Sequence, residues 1–573
     1  MCGILGGNRV EWDYEKGIEE IKHRGPDGQK VIRFEKFAMA FARLSIMDLS
    51  EKAMQPMQSS DNQISLIFNG EIYGFQDLRT TLKKKYVFQT TSDTEVILNA
   101  YLEYGDSFIN KIDGMFAIVI YDRRVEKVKL FRDRAGIKPL YYYFDGVNFA
   151  FASEIKALEA TCKDIKFEID NTALYDYLFY QYIPDPKTMY KNMYKLLPAH
   201  TLVFDIIKLR IITLERYWKL KVNTSVDRKR KREDINEAVR YLIAKSVKEQ
   251  MVADVPVGTY LSGGIDSSII TLECSKIRPD IRTFTIGFHE KQYDESKYAD
   301  LLINKYHINS KKQILDKRYV EQIKGSMASW YDEPFADTSA YPTYVVSELA
   351  KKEVTVVLTG DGSDELFGGY RRYSDFSRKI REYPKRSQTL EKMAEYALHK
   401  GLIAEELFEK KCLSNMTLCA RTLAIASPYR FREFHSKWNI PKDYDPYWYL
   451  KKYYKKDIPP ITRMRYLDFK TYLPSDILTK VDRTSMAVSL ESRVPFLSRD
   501  LIEFAFSLSQ EECCPKDNLK GILKNAYRGD IPCEILDRVK RGFSVPPNYL
   551  LHEKKEVSSY AGVLKNEWPE LWR

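Results

Sequence analysis

The sequence predicts an α/β protein of two domains, in which a layered sheet domain is followed by a domain with a parallel sheet. Its 573 residues exceed what a single hydrophobic core usually serves. Short runs rich in β-branched and aromatic residues fill the first two hundred residues. From about Ile235, amphipathic helical patterns alternate with compact apolar strands, which is typical of a parallel sheet with crossover helices.

The first domain is predicted to span residues 1–218, a linker residues 219–234, and the second domain residues 235–573. The basic run from Arg228 to Arg232 lies between two structured segments, which favours a solvated linker over a nuclear signal or a nucleic-acid patch. Gly, Asp and Asn punctuate the strands of the first domain. The predicted strands are ISLIFNGEIY, MFAIVIYD, VKLFRD, LYYYF, NFAFAS and HTLVFD, then VGTYL, TFTIGF and VTVVL in the second domain.

Composition favours a globular protein of the cytoplasm. Hydrophobic residues make up 44% and charged residues 30% of the chain, and no apolar run approaches the ~18 residues that cross a bilayer. The N-terminus lacks the features of a secretory signal. The eight cysteines include no C-x-x-C pair, which argues against a disulfide scaffold and a zinc site. The net charge of +11 is dispersed over 91 basic and 80 acidic residues, so we expect no nucleic-acid and no membrane partner.

A cysteine directly follows the initiator methionine in the opening MCGILGG. Cys2 could be a small buried apolar side chain, as most free cysteines are. Removal of Met1 would instead leave a thiol and a free α-amino group on one residue, which is a nucleophile with its own base. The α-amino group has a reference pKa of roughly 7.7 to 8.0, so a useful fraction is unprotonated near neutral pH.

The stretch VPVGTYLSGGIDSSIITLE predicts a strand that ends at Leu261, a glycine turn and a helix that bind an anion. Gly263 and Gly264 let the backbone approach a ligand, and the N–H groups at the helix start point at it. Asp266 would repel phosphate unless a cation lay between them, which argues for Mg²⁺. The stretch lacks the lysine of a Walker A loop. S-G-G alone could be an ordinary turn, but the full S-G-G-x-D-S resembles the PP-loop of ATP pyrophosphatases, which implies adenylation.

A second acidic loop follows the predicted strand that ends at Leu358, in VTVVLTGDGSDELFGGY. Asp361, Asp364 and Glu365 lie just beyond the carboxyl end of this strand, where doubly wound sheets bind ligands. An ordinary acidic turn would leave these carboxylates without partners. We therefore expect a metal or a cationic substrate at this loop.

Taken together, the motifs resemble the glutamine-hydrolysing asparagine synthetases over nearly the whole chain. The first half carries MCGILGG, HRGPDG, RLSIMD, NGEIYG, SDTEVI, GMFAIVIYD and RDRAGIKPLYY, in the order used by class II glutamine amidotransferases. The second half carries LSGGIDSS, DEPFADTSAYPTY, LTGDGSDELFGGY, LTKVDRTSMAVSLESRVPFL and KGILKNAYRG followed by KRGF. The resemblance implies an αββα glutaminase domain of the N-terminal nucleophile hydrolase type and a doubly wound parallel-sheet PP-loop synthetase domain.

For the first domain, the resemblance implies that Cys2 attacks the side-chain amide of glutamine while its own α-amino group shuttles the proton. Asn69 and Gly70 match the oxyanion hole of the family. Arg43 would bind the glutamine carboxylate, and Asp93, helped by Glu71, would bind its ammonium. The residues implied to bind glutamine are Arg43, Leu44, Ser45, Ile46, Met47, Asn69, Gly70, Glu71 and Asp93.

For the second domain, the resemblance implies ATP and L-aspartate as substrates and ammonia delivered through an internal tunnel. Asp266 and Asp364 would hold Mg²⁺, and Lys520 and Asp361 would act in catalysis. The residues implied to bind ATP are Tyr260, Leu261, Ser262, Gly263, Gly264, Asp266, Ser267, Ile286, Thr359 and Gly360. A homodimer is left open.

The acceptor carboxylate is the part of this interpretation that has alternatives. Thr359 and Asp361 stand in TGDGSDE, whereas SGEGSDE is common in one branch of the family, and Asp361 is one methylene shorter than glutamate. A relative that amidates a sugar acid or a biosynthetic intermediate would keep the same ATP and glutamine sites. A β-lactam synthetase would lack the N-terminal cysteine. A catalytically silent regulatory protein on the same fold would show degenerate motifs, whereas the catalytic residue types are all present here.

Overall fold

The computed structural model describes residues 2–538 apart from 383–386, 401, 405–406 and 427–430, together with 542, 545, 546 and 549. Met1 and most of the KRGF motif lie outside the described residues, as does the C-terminal part of the predicted second domain. The strands are β1 Gly3–Gly7, β2 Gly28–Arg33, β3 Ala38–Arg43, β4 Met57–Gln58, β5 Ile64–Tyr73, β6 Asp113–Asp122, β7 Lys127–Arg132, β8 Tyr141–Phe144, β9 Phe149–Ala152, β10 Met193–Lys195, β11 His200–Asp205, β12 Arg210–Arg216, β13 Val257–Tyr260, β14 Arg282–Phe288, β15 Asn309–Leu315, β16 Val356–Leu358 and β17 Glu491–Arg493.

The two longest helices of the described residues lie in the second part of the chain. The helices are α1 Tyr14–Glu20, α2 Gln76–Leu82, α3 Asp93–Tyr104, α4 Ile155–Thr161, α5 Asn171–Tyr180, α6 Arg232–Gln250, α7 Ile265–Ile277, α8 Ser296–Tyr306, α9 Lys317–Ile323, α10 Met327–Tyr331, α11 Ala340–Lys351, α12 Ser363–Phe367, α13 Arg371–Glu382, α14 Gln388–His399, α15 Asn415–Leu423, α16 Arg432–Lys437, α17 Trp448–Tyr453, α18 Pro460–Lys470, α19 Leu478–Met486, α20 Arg499–Ser507, α21 Gln510–Cys513, α22 Gly521–Ala526 and α23 Cys533–Leu536. Within the described residues, no helix is both long and apolar enough to cross a membrane.

Two antiparallel six-stranded sheets form the first domain. Their strand orders are β10-β8-β9-β1-β3-β2 and β12-β11-β7-β6-β5-β4. Apolar side chains from both sheets, such as Ile4, Phe41, Ile67 and Ala117, share one core between them. Helices α1 and α4 pack on the outer face of the first sheet, and α3 packs on the outer face of the second. The predicted αββα architecture is therefore confirmed.

A five-stranded parallel sheet forms the centre of the second domain, with the order β15-β14-β13-β16-β17. The chain runs outward from β13 to β15, returns to the other side of β13 at β16, and ends the sheet at β17. In this doubly wound sheet, the chain winds first to one side of β13 and then to the other. The loops after β13 and β16 therefore diverge at the carboxyl edge and leave a crevice between them. The predicted doubly wound sheet is confirmed.

The contact between the domains uses segments that the sequence assigns to the first domain and the linker. Helix α5 and the residues after it are buried in the same apolar cluster as β14 and α11 of the second domain. In the linker, Asn223 N–H donates to Phe506 O at 2.9 Å, and the Arg230 guanidinium pairs with Glu512 at 2.9 Å. These contacts place the two domains against each other over a broad interface.

Candidate active sites

Cys2 lies immediately before the central strand β1 and faces the other sheet of the sandwich. Its backbone N–H donates to Asn69 Oδ1 at 3.0 Å, so strands from both sheets meet at this point. The Asn69 side chain is fully buried, and its Nδ2 has no hydrogen-bond partner among the described residues. An unpartnered buried N–H donor is costly unless a ligand pairs with it. Asn69 Nδ2 can therefore donate to an oxygen that a ligand brings beside Cys2.

Gly70 follows Asn69 in a conformation that other residues avoid. Its φ is +149°, and a Cβ atom there would lie 2.0 Å from Met115 O on the neighbouring strand β6. A side chain at this position would therefore push β5 away from β6. The glycine lets the Asn69 amide and the Gly70 backbone reach the space beside Cys2.

A small pocket opens next to Cys2 and contains most of the residues predicted to bind glutamine. Arg43 lies at its wall, where the guanidinium donates to Ser50 O at 2.7 Å and to Asp48 O. Ser45 lies outside the wall, and its backbone N–H donates to Asp27 Oδ2 at 2.7 Å. The predicted residues in the wall are Arg43, Leu44, Ile46, Met47, Gly70, Glu71 and Asp93.

Two carboxylates lie together on the far side of this pocket: Glu71 on β5 and Asp93 at the start of α3. Burial, and then repulsion between the two groups, raise the pKa of Glu71, while Arg493 opposes the rise. Burial also raises the pKa of Asp93 to about 6, although Asp93 accepts a hydrogen bond from Ile72 N–H at 3.0 Å. Paired buried carboxylates are stabilised by a cation, so this side of the pocket suits an ammonium group.

Burial raises the pKa of the Cys2 thiol. The thiol lies 3.9 Å from Leu44 O, and the residue is 8% exposed. Because the thiolate is the reactive form, a base close to the sulfur is needed to take its proton. The α-amino group of Cys2 itself, once Met1 is removed, is the group of suitable pKa on the same residue.

The predicted ATP loop has the expected strand, turn and helix. Helix α7 starts after Gly264, and the Ser262 and Ser267 hydroxyls lie 3.0 Å apart across the turn. Gly263 has a φ of +76°, and a Cβ atom there would lie 2.8 Å from Glu295 O and from Ala299 N. Both constraints exclude a side chain, so the turn keeps its backbone N–H groups open toward the carboxyl edge of the sheet.

The second acidic loop lies directly against the start of α7. A Cβ atom built on Gly360 would be 2.8 Å from Ser267 N, which measures how closely the two loops approach. Asp266 Oδ1 accepts a hydrogen bond from Ser363 Oγ at 2.6 Å. The Thr359 hydroxyl is buried and has no hydrogen-bond partner among the described residues, so it can bond to a ligand.

The Lys520 ammonium joins the two aspartates that are predicted to hold Mg²⁺. It pairs with Asp364 Oδ1 at 2.5 Å and also with Asp266 Oδ2. The two carboxylates thus converge on one positive charge. Mg²⁺ is usually bound by one or two carboxylates together with substrate phosphates, so this donor set fits the ion. Within the described residues, no group of three or more His, Cys, Asp or Glu side chains forms a complete metal site.

The remaining predicted residues of the second site lie around the same edge of the sheet. Leu261 N–H donates to Phe284 O at 3.0 Å, which sets the end of β13 beside the strand that carries Ile286. The Tyr260 hydroxyl lies 2.7 Å from Ser347 Oγ on α11. Burial lowers the pKa of Lys480, but nearby carboxylates, which include Asp361, raise it. The charges of Lys480 and Asp361 therefore act on each other.

Three further residues in or next to this pocket are outside the predicted set. Gln55 lies in the pocket wall, where its Oε1 accepts a hydrogen bond from Phe68 N–H at 2.6 Å. Asp254 and Arg493 belong to the second domain, yet Asp254 bonds to the loop that carries Ile46 and Arg493 reaches Glu71. Arg493 lies inside the ESRVPFL motif, which is the one sequence feature that could have drawn attention to it.

The sandwich with its N-terminal cysteine and the parallel sheet with its S-G-G-x-D-S loop define a class of two-domain glutamine-dependent amidotransferases. The family model described as "Glutamine amidotransferase domain" matches residues 1–218, and the model described as "Asparagine synthase" matches residues 238–570. The chain belongs to the asparagine synthase family.

Its relatives match over most of their own length. The glutamine-hydrolyzing asparagine synthetase 1 of Bacillus subtilis is 35% identical, over 99% of this chain and 89% of that protein. A putative asparagine synthetase of Methanocaldococcus jannaschii is 37% identical, over 67% of this chain and 79% of that protein. The amidase chyE of Penicillium rubens is more distant, at 27% identity over 95% of this chain and 86% of that protein.

Proposed function

We propose that this protein is a glutamine-hydrolysing asparagine synthetase. It converts L-aspartate, L-glutamine, ATP and water into L-asparagine, L-glutamate, AMP and diphosphate. The observation that carries the proposal is the contact of Cys2 with buried Asn69, whose Nδ2 has no partner among the described residues, beside a pocket with a cationic and an anionic side. The same chain carries a PP-loop. Membership of the asparagine synthase family supports the choice of acceptor.

The first step releases ammonia from glutamine. After loss of Met1, the Cys2 α-amino group takes the thiol proton and the sulfur attacks the side-chain carbonyl carbon of glutamine. The Asn69 amide and the Gly70 backbone N–H stabilise the oxyanion that forms. The C–N bond then breaks, the nitrogen receives the proton and leaves as ammonia, and water hydrolyses the remaining glutamyl thioester to glutamate.

The charges of the pocket orient glutamine for this attack. The Arg43 guanidinium binds the α-carboxylate, and Asp93 and Glu71 bind the α-ammonium. The loop of Leu44, Ser45, Ile46 and Met47 covers the aliphatic part of the substrate. Because both ends of the amino acid are held, the side-chain amide is directed to the Cys2 sulfur.

The second step activates aspartate in the other domain. An oxygen of its β-carboxylate attacks the α-phosphorus of ATP, the bond to the β-phosphate oxygen breaks, and diphosphate leaves. The residues that bind ATP are Tyr260, Leu261, Ser262, Gly263, Gly264, Asp266, Ser267, Ile286, Thr359 and Gly360. Asp266 and Asp364 would hold Mg²⁺, which would supply positive charge for the leaving diphosphate. The Lys520 ammonium offsets further negative charge near the α-phosphate.

Ammonia then attacks the carbonyl carbon of β-aspartyl-AMP, and AMP leaves. Asp361 lies beside this reaction and accepts a proton from the attacking nitrogen. Ammonia travels between the sites inside the protein, because contact with water would protonate it. At the interface between the domains, the buried Arg24 side chain donates hydrogen bonds to both Cys2 O and Asp482.

The protein is further proposed to work in the cytoplasm on small-molecule substrates. Eight free cysteines support a reducing compartment. No nucleic-acid or membrane partner is needed for the reaction, and a homodimer is compatible with it.

A product assay with a matched variant tests the proposal. Purified protein with Mg²⁺ and ATP is given glutamine or ammonia, with and without L-aspartate, while asparagine, AMP and diphosphate are measured. We expect aspartate-dependent diphosphate and asparagine from both nitrogen donors. Cys2→Ala should retain the ammonia-driven reaction and lose the glutamine-driven one, whereas the matched variant of another buried cysteine, Cys162→Ala, should retain both.

The same assay identifies the alternative acceptor. If glutamine is hydrolysed and aspartate evokes neither diphosphate nor asparagine, the enzyme amidates another carboxylate. Asp361, which is shorter than glutamate, is the residue that such a result would implicate first. If neither half-reaction occurs, the proposed function is wrong.

A further inference from the structure

Strand β17 of the second domain reaches Glu71, which lies in the wall of the glutamine pocket. Its last residue, Arg493, is 1% exposed and lies between two carboxylates. The Nε atom pairs with Glu491 at 2.6 Å. One terminal nitrogen lies 3.4 Å from Glu71 Oε1 and makes no hydrogen bond within the part of the chain that the structure describes. The guanidinium therefore faces the carboxylate side of the pocket.

The other terminal nitrogen of Arg493 contacts a second segment that leads to the same pocket. It donates to Gln250 O and Val252 O, both at 2.7 Å, at the end of α6. Two residues later, Asp254 N–H donates to Ile46 O at 3.0 Å, and Asp254 Oδ2 accepts from Asp48 N–H at 2.8 Å. One arginine thus anchors the segment that supports the glutamine-binding loop.

We propose that Arg493 is a positioning residue for glutamine hydrolysis, through which the synthetase domain holds Glu71 and the 46–48 loop in the geometry that binds glutamine. The inference rests on the proposed function. Arg493 acts through Glu71 and through the 250–254 segment. The glutamine pocket is therefore completed by a side chain more than 400 positions away in the sequence.

The physical basis is charge as well as shape. Glu71 faces Asp93 in a buried pocket, and the charges that act on Glu71 are Asp93, Arg493, Glu491 and the N-terminal amino group. Arg493 is the side chain of this set that favours the ionised form of Glu71, and its effect on the pKa of Glu71 is larger than that of the amino group. An ionised, fixed Glu71 binds the ammonium of glutamine more tightly than a protonated or mobile one does.

The backbone of Arg493 provides an internal reporter for the experiment. Its carbonyl oxygen accepts a hydrogen bond from Thr359 N–H at 2.9 Å, at the start of the loop that binds ATP. A displacement of β17 would therefore disturb the ammonia-driven synthetase reaction. Loss of the side-chain function alone would disturb glutamine use and leave that reaction in place.

The test compares Arg493→Gln with the wild type in both reactions. We expect the KM for glutamine to rise about tenfold or more, since a charged contact is lost, while the ammonia-driven kcat falls at most about twofold. Arg499→Gln is the matched control, because Arg499 also contacts the first domain, through Asn110 O at 3.4 Å, and lies outside the pocket. It should change neither value by more than about twofold.

A double-mutant cycle separates positioning from general support of the fold. In the Glu71→Gln background, Arg493→Gln should raise the KM for glutamine by at most about threefold, because the charge on Glu71 is already gone and only the support of the 250–254 segment is left to lose. Equal effects in both backgrounds would overturn the proposal. So would an unchanged KM, or a parallel fall of both reactions in Arg493→Gln.

Arg493→Lys keeps the inference testable if the glutamine variant does not fold. A single ammonium cannot hold Glu71 and the 250–252 carbonyls together, so the KM should rise to an intermediate value. A wild-type KM in Arg493→Lys would overturn the proposal. If the wild type itself does not hydrolyse glutamine, the proposed function fails instead, so the two failures are distinguishable.

Discussion

At the scale of single residues, the Asn69 amide has two separate duties. Its oxygen accepts from the backbone N–H of Cys2 at 3.0 Å, and its nitrogen has no partner among the described residues. In the proposed mechanism, the first duty sets the position of the nucleophile, and the second stabilises the charge that develops when the nucleophile attacks. The two duties predict different kinetic effects from one substitution.

Asn69→Ala should lower the kcat of glutamine hydrolysis by about 10² to 10³, because one oxyanion donor is lost. The KM for glutamine should change little, since Arg43, Glu71 and Asp93 are retained. Initial rates of glutamate release measure both values. Asn99→Ala is the matched control, because Asn99 is also buried and its Nδ2 also has no partner among the described residues. An Asn69→Ala enzyme with wild-type kcat would contradict the assignment.

The pKa of Asp93 predicts how glutamine binding depends on pH. Burial raises this pKa to about 6, so the carboxylate takes up a proton as the pH falls through 6. The protonated form cannot pair with the glutamine ammonium, and KM should rise below pH 6, approaching about tenfold per pH unit. Steady-state kinetics from pH 5 to 8 measure the effect. In Asp93→Asn, KM should be high and nearly constant over this range, and a constant KM in the wild type would refute the role of Asp93.

At the scale of elements, the loop between β13 and α7 depends on one glycine far more than on its neighbour. Gly263 has a positive φ and no room for a Cβ atom, whereas a Cβ atom on Gly264 would be 3.4 Å from its nearest contact, Ser262 Oγ. The two adjacent glycines therefore form a matched pair for testing the turn. Their difference separates backbone strain from the addition of a methyl group.

Gly263→Ala should weaken ATP binding and lower the stability by about 1–3 kcal/mol, the cost of a strained backbone conformation. Gly264→Ala should lower the stability by less than about 1 kcal/mol, because its φ of −81° suits any residue. Calorimetric titration with ATP and thermal unfolding measure the two effects. Equal losses in the two variants would show that the turn geometry is not what limits binding.

Local patterns in the sequence predicted most of the elements. The run ISLIFNGEIY corresponds to β5, and VGTYLSGGIDSS to β13, its turn and the start of α7. Alternation of apolar residues and glycine chemistry are properties of neighbouring residues, so they are readable from the chain. The contacts of Arg493 with Glu71 and of Asp254 with Ile46 join distant segments. Such contacts depend on how two folded domains meet, and no local pattern encodes them.

Packing of α5 is a second feature that local patterns could not supply. The helix lies within residues 1–218, the predicted first domain. Its apolar residues nevertheless pack into the cluster around β14 and α11. The site residues could be predicted from motifs, because each motif forms its own turn or strand. No motif showed that the second domain covers α5.

At the scale of the whole molecule, buried charges occupy the centre of the domain interface. Arg24 is fully buried and bonds Glu154 at 2.8 Å and Asp482 at 2.9 Å, and Arg483 pairs with Glu154 at 2.8 Å. Such a network adds little net stability when it is complete, but it is costly when one member is removed. It therefore selects one docked arrangement, in which Arg24 also bonds Cys2 O.

Asp482→Asn should destabilise the protein by about 3 kcal/mol, because it leaves the buried Arg24 guanidinium short of negative charge. Denaturant unfolding, followed by tryptophan fluorescence, measures the change. Glu15→Gln, which removes one partner of the exposed Arg33–Glu15 pair, should cost less than about 1 kcal/mol. Similar costs for the two variants would contradict the view that the interface charges select the docked state.

Helix α5 has a practical consequence for producing the glutaminase domain separately. In the whole protein, Tyr175, Tyr177, Phe179 and Tyr180 on this helix are buried, partly against residues beyond position 280. A protein cut after residue 218 would expose part of that aromatic surface to solvent, and exposed apolar patches of this kind promote association. A soluble N-terminal fragment will therefore require polar replacements on α5, because a cut before residue 171 would also remove β10, β11 and β12 from the two sheets.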